Sequence, residues 1–206
     1  MDRGRLEAFS DGVFAVAITL LALDLVLPGP GSHHSLWQLL SDHWRHFVAY
    51  FISFLTIGIM WVNHHALVRN IAVVDRTVLF LNLMLLLFVV VIPFSTSTMA
   101  EYLTAGGGNA HLAMALYASA FEATALAFTA LFLWTLKEGR THRALPREAR
   151  GAAAWRFSFG SFVYVVAIVV SFINAHVAFV LIGLVAVYYV FERTPAGPVA
   201  GTEGEG

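Results

Sequence analysis

Residues 6–27 read LEAFSDGVFAVAITLLALDLVL, from Leu6 to Leu27. A helix needs about 17–25 mostly apolar residues to cross the hydrocarbon core of a bilayer, and this run is long enough. It exceeds the apolar region of a signal peptide, which is about 7–15 residues. It also holds Asp11 and lacks a convincing cleavage site, so it reads as a retained first helix despite Arg3 and Arg5 ahead of it. Five further apolar stretches follow at Phe47–Leu67, Val78–Ser97, Leu112–Leu136, Phe157–Ile173 and Ala175–Phe191. The composition agrees: 59% of the 206 residues are hydrophobic and only 12% are charged, where soluble domains carry roughly 25% charged residues. Half the usual charge cannot cover a surface facing water, so much of this surface faces lipid. The expected fold is an all-α integral membrane protein, with six transmembrane helices within residues 1–193 and a disordered tail over 194–206.

The breaks between the stretches carry turn chemistry. Pro28-Gly29-Pro30-Gly31-Ser32 ends the first, and Gly106-Gly107-Gly108-Asn109 separates the third from the fourth. Arg140 to Gly151 reads as a basic loop holding Pro146. The last two stretches meet at Asn174, as a tight hairpin or as one segment wrongly divided. The chain has no cysteine, which excludes disulfides, thiolate metal sites and iron–sulfur clusters. A net charge of -1 points to no nucleic acid. With six alternating helices and the N-terminus in the cytoplasm, every basic residue of the 12 except Arg45 lies inside, as the positive-inside rule requires. Both termini are then cytoplasmic and the protein sits in the cell (inner) membrane. Trp37 and Trp44 near one surface, with Trp134 and Trp155 near the other, suit interfacial belts.

Ionisable groups at membrane depth are expensive and call for a reason. Ser10 and Asp11 on the first stretch, Trp61, Asn63, His64 and His65 at the end of the second, and Asn82 early in the third all fall in one layer near the inner leaflet. Asp11, His64 and Asn82 read as a structural clamp or as a proton relay, the clamp being favoured because buried polar groups pair readily. Ala8, Ala15 and Ala22 recur at heptad spacing near Asp11, which suits close helix approach. Val16, Leu20, Leu23 and Leu27 form a bulky apolar stripe with Thr19 beside it. His64-His65 alone supplies too few ligands for a metal centre, and no metal or cofactor is expected. Glu122, midway along the fourth stretch, has no assigned role. His33, His34, His43, His46 and His111 read as external and solvated.

Arg5-Leu6-Glu7-Ala8-Phe9-Ser10-Asp11-Gly12 resembles the R-x-x-x-F-S-D signature on the first helix of the transmembrane protein 175 family of potassium channels. Trp61-Val62-Asn63-His64-His65 and Asn82 resemble that family's companion polar positions, and the resemblance runs from about Arg5 to Arg193. It implies a homotetramer in the lipid bilayer with the first helices lining a central pore. It implies passage of potassium and other monovalent cations, potassium being permeant species rather than cofactor, and no T-V-G-Y-G filter. By position it implies a constriction at Val16, Thr19, Leu20 and Leu23, and a packing network around the pore helix involving Arg5, Phe9, Ser10, Asp11, Trp61, Asn63, His64 and Asn82. Val16 departs from the larger Leu or Ile common in the family, which leaves the tightest ring open between Val16, Leu20 and Leu23.

The expected function is therefore a passive potassium-permeable channel closed by apolar side chains of the first helix, with Asp24 near the outer mouth attracting cations or pairing with an outer-loop group. The alternative is a proton-coupled secondary transporter using Asp11, His64 or Glu122. A membrane enzyme built on His64-His65 ranks last, because no second histidine cluster or nucleophile accompanies it.

Overall fold

The computed structural model of the chain describes residues 2–27, 35–137, 140–142 and 147–191. The Pro28-to-Ser32 break, His33, His34, Arg143, Pro146, Arg193 and the tail over 194–206 lie outside the described residues. The described residues are helical almost throughout: α1 (Arg3–Leu23), α2 (Leu36–Asp42), α3 (Trp44–Arg69), α4 (Arg76–Ala105), α5 (Gly107–Thr135), α6 (Arg147–Ser171) and α7 (Ala175–Phe191). α1, α3, α4 and α5 are long and apolar enough to cross a membrane, and α6 and α7 add the shorter apolar helical stretches Phe159–Ser171 and Ala175–Phe191.

Several boundaries differ from the expected ones, each for a local reason. Gly106 and Gly107 take positive φ, 73° and 67°. An L-residue pays a steric penalty there that glycine avoids, so α4 turns into α5 across a single residue instead of a four-residue loop. α6 begins at Arg147, so the second half of the expected basic loop is helix. The α6–α7 junction is a hairpin: Asn174 Oδ1 accepts from the backbone N–H of His176 at 3.0 Å and of Val177 at 3.1 Å, which caps α7. α2 was not expected. Its signal was in the sequence, because Ser35 and Gln38 form a reciprocal capping box.

α4 and α5 pack along each other at the centre. α1 lies against α3 and α4, and the α6–α7 hairpin leans on α5 and α3. Small side chains on α5 allow the close approach: Ala110, Ala113, Ala118, Ala120 and Ala127 are buried beside Tyr117 and Phe121. Pro93 lies inside α4 and has no N–H for the carbonyl four residues back. Next to it the Thr96 hydroxyl donates to Ile92 O at 2.7 Å and stands 2.9 Å from Ser53 Oγ, which is itself 2.9 Å from Tyr117 Oη. This buried hydroxyl cluster joins α3, α4 and α5.

At one end of the bundle the α3–α4 connection is fastened to the segment after α5. Ala72 N–H donates to Arg140 O at 2.8 Å and His142 N–H to Asn70 O at 2.9 Å. Asp75 accepts from Val78 N–H at 2.9 Å and pairs with the Arg140 guanidinium at 2.5 Å. The Val78 N–H first, then Arg140, hold the Asp75 carboxyl below its ordinary pKa. A depressed folded-state pKa stabilises the fold above the ordinary carboxylate range, and that contribution is lost as pH falls through the lowered value. Asp75→Ala is therefore expected to lower the melting temperature at neutral pH and to speed tryptic cleavage at Arg76. The difference from wild type should vanish in strong acid; a difference that grows there would count against this assignment.

Candidate functional site

α1 has two unlike faces. Leu6, Ser10, Phe14, Ala17 and Leu21 are buried against the neighbouring helices. On the other side Phe9, Val16, Leu20 and Leu23 are 51%, 54%, 39% and 68% exposed, with Gly12 and Thr19 exposed among them. At 3.6 residues per turn these positions fall on one stripe. The expected constriction residues thus share a surface that nothing else among the described residues covers. Thr19 Oγ1 donates its hydrogen to Val16 O at 2.8 Å, which leaves the oxygen lone pairs free on that surface. Ala8, Ala15 and Ala22 are exposed as well. They flank the stripe instead of packing inside the chain.

The buried side of α1 is held by polar groups, in a different pairing from the expected clamp. Ser10 Oγ donates to Leu6 O at 2.8 Å and accepts from Asn82 Nδ2 at 3.0 Å, while Asn82 Oδ1 stands 2.7 Å from His64 Nε2. With the Asn82 amide so oriented, Nε2 must carry the hydrogen. Ser10, Asn82 and His64 are at most 1% exposed, so this chain ties α1, α4 and α3 together out of reach of water. The Phe14 ring packs on His64 at 5.3 Å between centroids.

Asp11 belongs to a second cluster. It accepts from Trp61 Nε1 at 2.8 Å instead of bonding His64 or Asn82, and one turn earlier Glu7 lies 3.2 Å from His65 Nδ1. Adjacent residues on a helix point about 100° apart, so Ser10 and Asp11 meet different partners. The remaining expected network positions stand apart. Arg5 is exposed, Phe9 lies on the outward stripe, and Asn63 lines an apolar cavity of about 60 Å³ with Thr56, Tyr164 and Tyr189. Arg3, which the sequence reading left out of the network, donates to Arg69 O at 3.0 Å.

Asp24 ends α1 and is exposed, facing a small pocket shared with His46, Tyr50, Thr96 and Ser97. Glu122 pairs with another helix, accepting from Ser161 Oγ at 2.6 Å. Three histidines are less free than expected: His111 Nδ1 reaches Ser171 O at 2.5 Å, His43 Nδ1 reaches Leu39 O at 2.8 Å, and His46 Nδ1 is shielded from solvent.

A family model described as "Endosomal/lysosomal potassium channel TMEM175" matches residues 5–93, which span both polar clusters and the exposed stripe. A protein of Streptomyces collinus named as a potassium channel is 43% identical over 197 residues, covering 94% of each chain. The crystal structure of a lysosomal potassium-selective channel TMEM175 homolog from Chamaesiphon minutus superposes with a TM-score of 0.81 at 34% identity, covering 91% of this chain and 96% of that one. A Gallus gallus protein named endosomal/lysosomal proton channel TMEM175 is 36% identical over 110 residues, which is 50% of this chain but 22% of that protein. Identity carried at that level across nearly the whole length, with the same helical fold, places this chain in the TMEM175 family.

Proposed function

We propose that the chain is one subunit of a passive potassium-permeable channel whose pore is walled by the exposed stripe of α1. The observation that carries this is the division of α1 into a face locked by Ser10, Asn82 and His64 and a face on which Val16, Thr19, Leu20 and Leu23 stay exposed among the described residues. One stripe cannot enclose a channel, so several copies are required; four is the number the family resemblance implies. Four copies of an apolar side chain make a ring that excludes water and blocks ions when narrow. Thr19 oxygens offer lone pairs to a partly dehydrated cation, and Asp24 raises the cation concentration at the outer mouth.

The orientation proposed is N- and C-termini in the cytoplasm of a cell (inner) membrane. Arg3, Arg69, Arg76, Lys137 and Arg140 gather at one end of the bundle and Arg45 begins α3 at the other, which supports it. No step in this reading is catalytic.

The test is recording from purified protein in planar bilayers under a potassium/sodium gradient, with a pH gradient as a separate arm. Unitary currents reversing toward the potassium potential are expected. Thr19→Val is expected to move that reversal toward zero without altering the melting temperature. An absence of unitary current together with saturable, pH-driven uptake into liposomes would replace the channel by the proton-coupled transporter using Asp11, His64 or Glu122. Currents reversing at the proton potential would remove potassium as the permeant ion.

A further inference from the structure

Glu7 and Asp11 stand one turn apart on α1, and Trp61 and His65 stand one turn apart on the facing stretch of α3. The Glu7 and Asp11 carboxylates and the His65 imidazole bring one ligand atom each to within 4.8 Å of one another, all three residues being half-buried. Glu7 Oε1 and His65 Nδ1 are already 3.2 Å apart. Two ligands on a tetrahedral zinc ion lie about 3.4 Å apart, given metal–ligand bonds of about 2.1 Å. That pair is near the required spacing, and an Asp11 ligand atom lies within 4.8 Å of both.

Two further features bear on metal ligation. His65 Nδ1 is shielded from solvent, and its contact with Glu7 Oε1 at 3.2 Å is not aligned as a hydrogen bond, so its one close partner is a carboxylate held at ligand spacing. Asp11 Oδ1 is fixed by the Trp61 indole N–H at 2.8 Å. This is the outer hydrogen bond that orients a ligating carboxylate, and it leaves Oδ2 free. The donor set of one imidazole nitrogen and two carboxylate oxygens suits a first-row divalent transition metal, with water completing the coordination.

We propose that Glu7, Asp11 and His65 form a divalent transition-metal site that bridges α1 to α3. The ion enters from the same end of the bundle as Arg3 and Arg69, because the ligands lie in the first turns of α1 and the last turns of α3. A bound ion cross-links the two helices and so locks α1 to its support. That this would hold the channel shut rests on the pore reading above; that the ion binds does not, so the first test reads binding alone.

Untagged, EDTA-stripped protein is titrated with zinc chloride, with melting temperature and calorimetric heat as the two readouts. One ion per chain and a rise in melting temperature of several degrees are expected. Glu7→Gln and His65→Gln, both at partly exposed positions, are expected to melt normally without zinc and to weaken its binding at least tenfold. His176→Gln, on the exposed start of α7, is expected to behave as wild type. No zinc-dependent shift in wild type overturns the site. So does an equal shift in wild type, Glu7→Gln and His65→Gln, which would assign the zinc to other histidines. If either variant melts low without zinc, the calorimetric heat on the remaining variant decides between these outcomes.

Discussion

Asn82→Ala is expected to lower the melting temperature of the detergent-solubilised protein by on the order of 5–10 °C and to cut the yield of assembled protein sharply. Asn82 is 1% exposed and is the middle member of the chain from Leu6 O through Ser10 to His64. Its removal breaks two buried hydrogen bonds. In membrane bundles such bonds are worth only about 0.6 kcal/mol each on average, so their loss alone would be a small effect. The larger part comes from what remains. The His64 N–H is left without an acceptor where water cannot reach, at about 1–3 kcal/mol, and the vanished amide leaves a void between α1, α3 and α4. A total of about 2–4 kcal/mol converts to the stated shift at about 2–4 °C per kcal/mol for a chain of this size. Asp11→Asn should do much less, because an amide oxygen can still accept from Trp61. A thermal scan that finds Asn82→Ala within about 1 °C of wild type, or Asp11→Asn the more damaging, would sink the assignment of the Ser10–Asn82–His64 chain as the main fastening of α1.

That contrast marks where the sequence stops being informative. Depth is a one-dimensional quantity, and counting residues from the ends of apolar runs placed Ser10, Asp11, Trp61, His64 and Asn82 in one layer. Partnership depends on helix rotation and on which helices are neighbours. Neither is fixed by counting, so Asp11 was grouped with His64 and Asn82 when it faces Trp61. The outward stripe of α1 was legible because bulky apolar residues recur there at helical spacing, and position in the family supplied its meaning. The tight α4–α5 turn was not legible in full: three glycines announce a turn but do not say that two of them take positive φ. The early start of α6 was readable in part, since Arg147-Glu148-Ala149-Arg150 is good helix-forming sequence and Pro146 just ahead of it reads as a boundary. The α2 capping box is legible at Ser35 and Gln38, three residues apart. Glu7 and His65 illustrate the opposite limit. Glu7 carries no signal of its own in the sequence and His65 only its place beside His64, and the packing of α1 on α3 brings the two to 3.2 Å.

Leu23→Ala and Leu21→Ala should separate the two faces of α1 in a single experiment. Leu21 is 2% exposed within the chain. Truncating a buried leucine removes transfer energy and leaves a cavity, about 2–5 kcal/mol in all, so Leu21→Ala should lower the melting temperature strongly. Leu23 is 68% exposed, and a substitution on such a surface stays within about 0.5 kcal/mol unless a neighbouring subunit packs on it. Its effect is expected in the current. In the tetrameric pore proposed above, a ring of four alanines would be wider and less water-excluding than a ring of four leucines, and closure would be weakened. If each ring contributes about 1.4 kcal/mol to the closed state, the resting current rises about tenfold. Leu20→Ala should act in the same direction. Val16→Ala should act less, because valine gives up less volume; should Val16→Ala raise the current most, the tightest ring lies there despite its smaller side chain. Equal resting currents in wild type, Leu20→Ala, Leu23→Ala and Val16→Ala, with all four proteins equally stable, would remove the stripe from the permeation path.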